Sequence, residues 1–145
     1  APADGRVVLI DRAHGRLSIS IFLSAFDVHV NRAPVAGRVV ELSHTPGKYL
    51  PAFLATSSSE NERLRLTLEE AAGRRVSCSQ VAGLLARRIE NWVAEGQNLA
   101  QGERYGMIHL GSRLDLELDG SYDPLVAKGQ YVKGGLAVLA EIPGG

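Results

Sequence analysis

The stretch ERLRLTL at residues 62–68 alternates leucine with charged or polar residues at every second position. Successive side chains of a β-strand point to opposite faces of the sheet. This alternation therefore predicts a strand with one buried face and one solvated face.

Similar short runs, rich in β-branched and aliphatic residues, recur along the chain between clusters of Gly, Pro, Asn and Ser. This arrangement is typical of a protein made of strands and turns. The predicted strands cover residues 5–10, 16–23, 35–43, 62–68, 74–81, 104–110, 113–118 and 136–142. Residues 80–93 fit a helical stripe as well as a sheet, so both structures stay open for that segment.

Three glycine-centred segments form a weak internal repeat: GKYLPA (47–52), GQNLAQG (96–102) and GQYVKGG (129–135). Each is predicted to be a hairpin corner, where glycine takes a positive φ and the aliphatic residue three positions later fills the core. PVAGRV (34–39) is similar to the strands that open the hairpins of lipoyl and biotinyl carrier domains. We expect a mainly β fold, a barrel-sandwich built from lipoyl-like β-hairpins with room for one short helix. Chance recurrence of glycine-rich turns is the alternative.

The composition bounds the class of protein. A chain of 145 residues, 45% of them hydrophobic, suits a single domain over residues 1–145. Sixteen basic and sixteen acidic residues cancel, so nucleic acid is not expected as a partner. Cys78 is the only cysteine, which excludes an intrachain disulfide and a multi-cysteine metal site. No run approaches the roughly 18 apolar residues that span a bilayer, so we expect the chain as given to be soluble.

The residues that could carry chemistry reduce to a Ser/His/Asp set. The four histidines lack the short spacings of a zinc site, so no bound metal is expected, and both a phosphate-binding loop and a Gly-x-Ser-x-Gly elbow are missing. What remains is Asp4 in PADG, His29 in FDVHVNR and Ser112 in LGSR. Taken singly, each has an ordinary explanation, as a turn aspartate, a half-buried histidine and a turn serine.

Taken together and in order, these segments resemble the pyruvoyl-dependent phosphatidylserine decarboxylases, particularly the short bacterial and archaeal type. The likeness runs over nearly the whole chain. The matching segments are residues 2–5, 22–32, 34–37, 60–63, 80–88, 102–106, 111–115 and 129–130. His109 and Leu110 depart from the Arg and Phe that usually stand there, which bears on substrate preference and not on the chemistry.

The resemblance implies a self-processing enzyme that cuts its own chain between Gly111 and Ser112. The products are a β chain of residues 1–111 and an α chain of residues 112–145, which stay together in one fold. Ser112 is implied as the self-processing residue, His29 as its base and Asp4 as the carboxylate that orients the imidazole. Ser112 then becomes a pyruvoyl group, which forms a Schiff base with phosphatidylserine and takes up the electrons left by decarboxylation to phosphatidylethanolamine.

The implied partner is a phospholipid, so we expect a peripheral position at the cytoplasmic face of the cell membrane. A homo-oligomer is compatible with this reading. The apolar stretch ISIFLSAF (19–26) could help to dock the lipid, but its alternation favours a core strand. Arg32 and Arg113, beside the implied catalytic motifs, are the candidates for binding the substrate phosphate, ahead of Arg87 and Arg88.

Three other functions stay open. The chain could decarboxylate a related serine-containing lipid or a smaller amine. A serine hydrolase with the same three residues would keep one intact chain. A non-enzymatic lipoyl or biotinyl carrier needs a modifiable lysine at a hairpin tip, but Lys48 and Lys133 lack the usual neighbours.

Overall fold

The computed structural model describes residues 1–24, 30–52, 57–83, 88–108 and 111–143, with only the backbone described at positions 57 and 58. Within these residues the fold is mainly β, as predicted, and the short helix for which the prediction left room is α1 (Ser57–Glu60). The strands are β1 (Gly5–Ala13), β2 (Arg16–Leu23), β3 (Val30–Arg32), β4 (Gly37–Thr45), β5 (Arg63–Glu69), β6 (Arg75–Val81), β7 (Ile89–Asn91), β8 (Asn98–Leu99), β9 (Arg104–Ile108), β10 (Ser112–Asp119), β11 (Asp123–Pro124), β12 (Tyr131–Val132) and β13 (Ala140–Glu141).

Eight strands form the main sheet, in the order β12-β1-β2-β10-β6-β5-β4-β8, and every neighbouring pair is antiparallel. The sheet curls into a half-barrel, which agrees with the predicted barrel-sandwich. A second sheet has the order β3-β9-β7, and β11 pairs with β13. Strand β10 therefore lies near the middle of the main sheet, although it comes late in the chain.

The main sheet is nearly symmetric about the line between β10 and β6. On one side β1 pairs with β12 through Gly5 and Val132, and on the other β4 pairs with β8 through Gly37 and Leu99. The register shifts by one residue at the third position after each of these glycines, in the β1–β2 pair and again in the β4–β5 pair. The segments PADGRV (2–7) and PVAGRV (34–39) thus begin equivalent strands in two similar halves.

The core forms on one face of the curled sheet, because leucines and isoleucines alternate with polar residues along most of β2, β5 and β10. In β2, Ile19, Ile21 and Leu23 are fully buried, so the described part of ISIFLSAF is a core strand. In β5, Leu66 and Leu68 are buried and meet the same core. Each such side chain contributes about 1.5–3 kcal/mol when it leaves water.

Two of the three predicted hairpin corners have the expected geometry. Gly96 and Gly129 have φ of 89° and 93°, and the aliphatic residues three positions later, Leu99 and Val132, are buried. The prediction is wrong for the first copy. Gly47 does not have a positive φ, and a β-carbon there would stand 2.4 Å from the carbonyl oxygen of Glu60. Glycine is needed at that position for close backbone approach and not for a turn.

The predicted strand at residues 136–142 is also wrong over most of its length. Only Ala140–Glu141 is strand, because the amides of Leu136 and Ala137 both donate to the carbonyl of Lys133, at 3.2 and 3.0 Å, and close a turn. The side chains of Leu136 and Val138 are consequently exposed. In the segment 80–93, the described residues contain the end of β6 and strand β7 and no helix.

Candidate active site

Ser112 is the first residue of β10 and lies between β2 and β6, opposite Leu23. It shares the inner face of the sheet with Leu114 and Leu116, two and four positions later, and it is fully buried. Its Oγ has no hydrogen-bond partner among the described residues. An unsatisfied buried hydroxyl costs on the order of 1–3 kcal/mol, so its presence here calls for a functional explanation.

Gly111, directly before this serine, is in the left-handed region with φ of 75°. Its amide donates to the carbonyl oxygen of Leu23 at 2.9 Å, which anchors the glycine at the end of β2. A β-carbon at Gly111 would meet nothing within 4 Å, so the requirement for glycine comes from φ and not from space.

The other half of the sheet contains an equivalent glycine in a tight turn. Gly73 has φ of 88°, its amide donates to the carbonyl of Glu70 at 2.8 Å, and β6 follows two residues later. The chain between Glu70 and Gly73 simply joins β5 to β6. In the half of the sheet that contains Ser112, the corresponding strands, β2 and β10, are connected through residues 24–111. The Gly111–Ser112 bond thus lies where a short hairpin turn would join two neighbouring strands. Here the segment that joins those strands is far longer.

Asp4 lies at the same end of the sheet as Ser112. It directly precedes β1, whose Arg6 pairs with Phe22 of β2, and the next residue of β2 pairs with Ser112. One oxygen of the carboxylate, Oδ1, accepts a hydrogen bond from the amide of Gly134 at 2.7 Å. Only β2 therefore separates the strand ends that carry the aspartate and the serine.

His29 lies outside the described residues, but the strand that follows it does not. In β3, Asn31 is fully buried and its Oδ1 accepts a hydrogen bond from Nε2 of Gln80 at 2.8 Å. Gln80 belongs to β6 and pairs with Leu114, two residues beyond Ser112. This contact ties β3 to the main sheet near Ser112. Sequence reasoning did not identify Gln80 or Asn31, although a glutamine on the apolar face of β6 was the available signal.

The two arginines predicted to bind phosphate have different surroundings. Arg113 is only 2% exposed; its Nε donates to Asp115 at 2.6 Å and Nη2 donates to Ser20 at 2.9 Å. A phosphate could reach it only if these bonds were broken. Arg32 is half-buried and donates from Nη1 to the carbonyl of Gly102 at 2.9 Å. Arg88 contacts Glu90 at 3.7 Å, and Arg87 is outside the described residues.

The described ranges contain neither a metal-binding cluster nor a membrane-spanning helix. Their His, Cys, Asp and Glu side chains form no cluster of three or more that could hold a metal ion. None of the helices in the described part of the chain is long and apolar enough to cross a membrane.

The fold and the site together define a β protein with a buried serine hydroxyl behind a left-handed glycine, at the end of a central strand. Comparison with known proteins agrees with that description. The family model for phosphatidylserine decarboxylase matches residues 1–140, and the chain belongs to that family. The family predicted from the sequence is confirmed, and its members are carboxy-lyases, as predicted.

Three relatives, each named phosphatidylserine decarboxylase proenzyme, are similar to almost the whole chain. The protein of Pelobacter propionicus is 49% identical over 98% of this chain and 67% of its own length. Those of Cereibacter sphaeroides and Ruegeria pomeroyi are 45% and 41% identical, again over 98% of this chain, and over 66% and 69% of their own lengths. The chain thus spans about two thirds of the length of these curated relatives.

Proposed function

We propose that this chain is the catalytic part of a phosphatidylserine decarboxylase that cuts itself between Gly111 and Ser112. The two products are residues 1–111 and 112–145, and the second begins with a pyruvoyl group made from Ser112. The observation that carries the proposal is the fully buried Oγ of Ser112, which has no hydrogen-bond partner in the described part of the chain and directly follows a glycine with φ of 75°. The family and the proenzyme relatives support the same reading.

In the first step, the Oγ of Ser112 attacks the carbonyl carbon of Gly111. The C–N bond between the two residues breaks, the serine nitrogen takes up a proton, and an ester replaces the amide. A glycine favours this step, because it takes φ of 75° at little steric cost and has no side chain to hinder the approach of the hydroxyl to its carbonyl carbon.

In the next steps, loss of the Cα proton of Ser112 expels the carboxylate of Gly111. The chain breaks there and leaves a dehydroalanine at the new amino terminus. Water then hydrolyses its imine tautomer, which releases ammonia and leaves a carbonyl at residue 112. No external oxidant or reductant is required, because the atoms come from the chain and one water molecule.

His29 is proposed as the base that removes the proton from Ser112, and Asp4 as the carboxylate that orients its imidazole. A serine hydroxyl is a weak nucleophile until a base accepts its proton, and a carboxylate selects the ring nitrogen that is free to do so. The support is that Asp4 and Ser112 lie at the same end of the sheet and that β3, which begins directly after His29, is tied to Gln80. After processing, the same imidazole is suited to return a proton to the substrate carbon.

The pyruvoyl group supplies an electrophilic carbonyl that binds the substrate amine and accepts the electrons released with carbon dioxide. Residue 112 is fully buried in the uncut chain, so the chain would hold that carbonyl inside the fold. For the phosphate of the lipid we propose Arg32, because among the described residues its guanidinium is seen to donate only to the carbonyl of Gly102. Because this substrate resides in a bilayer, we also propose peripheral binding at the membrane surface.

The decisive experiment is an intact mass measurement under denaturing conditions. We expect two chains split after Gly111, and the smaller should gain mass when borohydride is added together with an amine, because a carbonyl is present. Ser112→Ala is expected to fold, stay uncut and lack decarboxylase activity. A single active chain with an unmodified Ser112 would refute the proposal and favour the serine hydrolase.

His29→Ala is the second test, because the base is the part of the site that the structure does not describe. We expect this variant to remain uncut while its circular dichroism spectrum matches that of Ser112→Ala. Normal cleavage in His29→Ala would remove this residue from the role of base, and would leave the assignment of Ser112 intact.

A further inference from the structure

Gly83 lies two residues beyond the end of β6 and packs directly against the Gly111 carbonyl. A β-carbon at position 83 would stand 1.9 Å from the carbonyl oxygen of Gly111 and 2.9 Å from its carbonyl carbon. On another side it would be 3.2 Å from the Cβ of Ala52. Glycine is therefore required at position 83 because the backbone at Gly111 occupies the space of a side chain.

A buried asparagine holds the peptide that precedes Gly83. Asn61 is fully buried, and its Nδ2 donates to the carbonyls of Leu50 and Ala82 at 2.8 and 2.7 Å, while its Oδ1 accepts from the amide of Leu50 at 3.0 Å. The amide of Ala82 also donates to the carbonyl of Glu62 at 2.9 Å. The Ala82–Gly83 peptide is thus held by the side chain of Asn61, and the peptide before it by a backbone bond, so Gly83 cannot easily move away from Gly111.

We propose that Gly83, held in place by Asn61, is a positioning residue for self-cleavage. It forms the surface against which the Gly111 carbonyl rests, and so sets the orientation of that carbonyl toward the Oγ of Ser112. This inference rests on the proposed cleavage between Gly111 and Ser112. Because Ser112 is fully buried, its hydroxyl has little freedom to follow a carbonyl that has shifted.

The test is Gly83→Ala, with the rate of self-cleavage measured by intact mass after synthesis of the unprocessed chain. The added methyl group must push the Gly111 carbonyl aside, and a misplacement of 1 Å at reacting atoms costs on the order of 100-fold in rate. We expect a loss of that size. Gly37→Ala is the matched control, since its methyl group would also meet a backbone carbonyl, that of Glu69 at 2.6 Å, in strand β4. It should lose stability and still cut at the normal rate.

Hydroxylamine gives a readout that a general loss of stability would not change. Hydroxylamine cuts esters readily and amides slowly, so it reveals whether the rearrangement at Gly111 has taken place. In Gly83→Ala we expect no accumulation of a hydroxylamine-sensitive bond, because the rearrangement itself is the slowed step. Accumulation of an ester in this variant would place the defect in a later step and overturn the inference.

The remaining outcomes separate this inference from the proposed function. If the unsubstituted chain is never cut, both fail; if it is cut and Gly83→Ala is cut equally fast, only the role of Gly83 fails. Should Gly83→Ala not fold, Asn61→Ala decides, because it frees the Ala82–Gly83 peptide without adding atoms near Gly111. Slow cleavage in folded Asn61→Ala supports the role, and cleavage at the normal rate overturns it.

Discussion

At the scale of single residues, glycines serve two different purposes around the proposed bond. Gly111 is needed for its backbone angle, since φ is 75° and there is open space where a side chain would be. Gly83 is needed for a different reason, because the carbonyl of Gly111 occupies the space that a side chain at position 83 would fill. The two requirements predict different consequences for the same change to alanine, one of strain and one of collision.

Gly111→Ala should fold, because its methyl group meets nothing, but we expect it to lose about 1–2 kcal/mol for a left-handed alanine. The alanine can relieve part of this strain by changing its backbone angles, which turns the carbonyl of residue 111 away from Ser112. Self-cleavage should therefore slow. Gly73→Ala is the matched control, with φ of 88° and equally open surroundings. Urea unfolding should show similar losses for the two variants, and intact mass should show slow cleavage only in Gly111→Ala. Equal cleavage rates would contradict the prediction.

At the scale of elements, the polar face of the main sheet carries an ion-pair network that crosses several strands. Glu117 of β10 binds Arg65 of β5 at 2.7 Å and Arg16 of β2 at 3.0 Å. Although burial alone would raise the pKa of Glu117, the hydrogen bonds and charges of Arg65 and Arg16 lower it below its usual value. The carboxylate is therefore more acidic in the folded chain than in the unfolded one.

This difference predicts an acid-dependent loss of stability. Because the pKa of Glu117 is lowered on folding, its contribution is present above the unfolded value of 4.5 and disappears as the pH falls through the folded value. We expect Glu117→Gln to cost about 0.5–1 kcal/mol at neutral pH and almost nothing in strong acid. Urea unfolding over a pH series measures this. Glu141→Gln, at an exposed position in β13, is the control for the loss of a carboxylate and should cost less at neutral pH than Glu117→Gln.

At the scale of the whole molecule, the proposed cut separates pieces that the sheet holds together. Residues 112–145 supply β10, which lies between β2 and β6, and also β12, which pairs with β1. The described inner-face leucines of β10 are buried: Leu114, Leu116 and Leu118. Strand β10 is thus an interior part of the fold, and cutting the Gly111–Ser112 bond removes none of these contacts.

We expect the two fragments to elute as one species in native gel filtration and to separate only in denaturant. Each of the three buried leucines contributes about 1.5–3 kcal/mol, which opposes dissociation. Uncut Ser112→Ala is the reference for the elution volume. Loss of the smaller fragment under native conditions would show that β10 does not hold its place after cleavage.

Cys78 provides an independent probe of the same interior. It lies in β6 opposite Leu116 of β10, and burial raises the pKa of its thiol to about 12. A protonated, inaccessible thiol is a poor nucleophile, so a thiol reagent should label it only when the sheet opens. Labelling should be slow in buffer and fast in urea, in both the uncut and the cut protein. Fast labelling in buffer would mean that the core is open around β10.

The local part of the structure followed from the sequence. Alternation in ERLRLTL is enough to predict a strand, because one face of the sheet contacts the protein core and the other contacts water. Glycine spacing predicted the corners at Gly96 and Gly129. Asp4, His29 and Ser112 were candidates through resemblance over many ordered segments. They remain proposals for the site of a chain whose family is established.

What only the tertiary structure decided depends on contacts between distant segments. Exposure of Leu136 and Val138 follows from a turn closed by the Lys133 carbonyl, and the sequence pattern alone predicted a strand there. The approach of Gly83 to Gly111 and the bond from Gln80 to Asn31 depend on which strands pair and in which register. Local patterns specify which face of a strand is buried, but pairing is selected by the packing of the whole sheet, and so the surroundings of Ser112 appear only once β2, β6 and β10 are assembled.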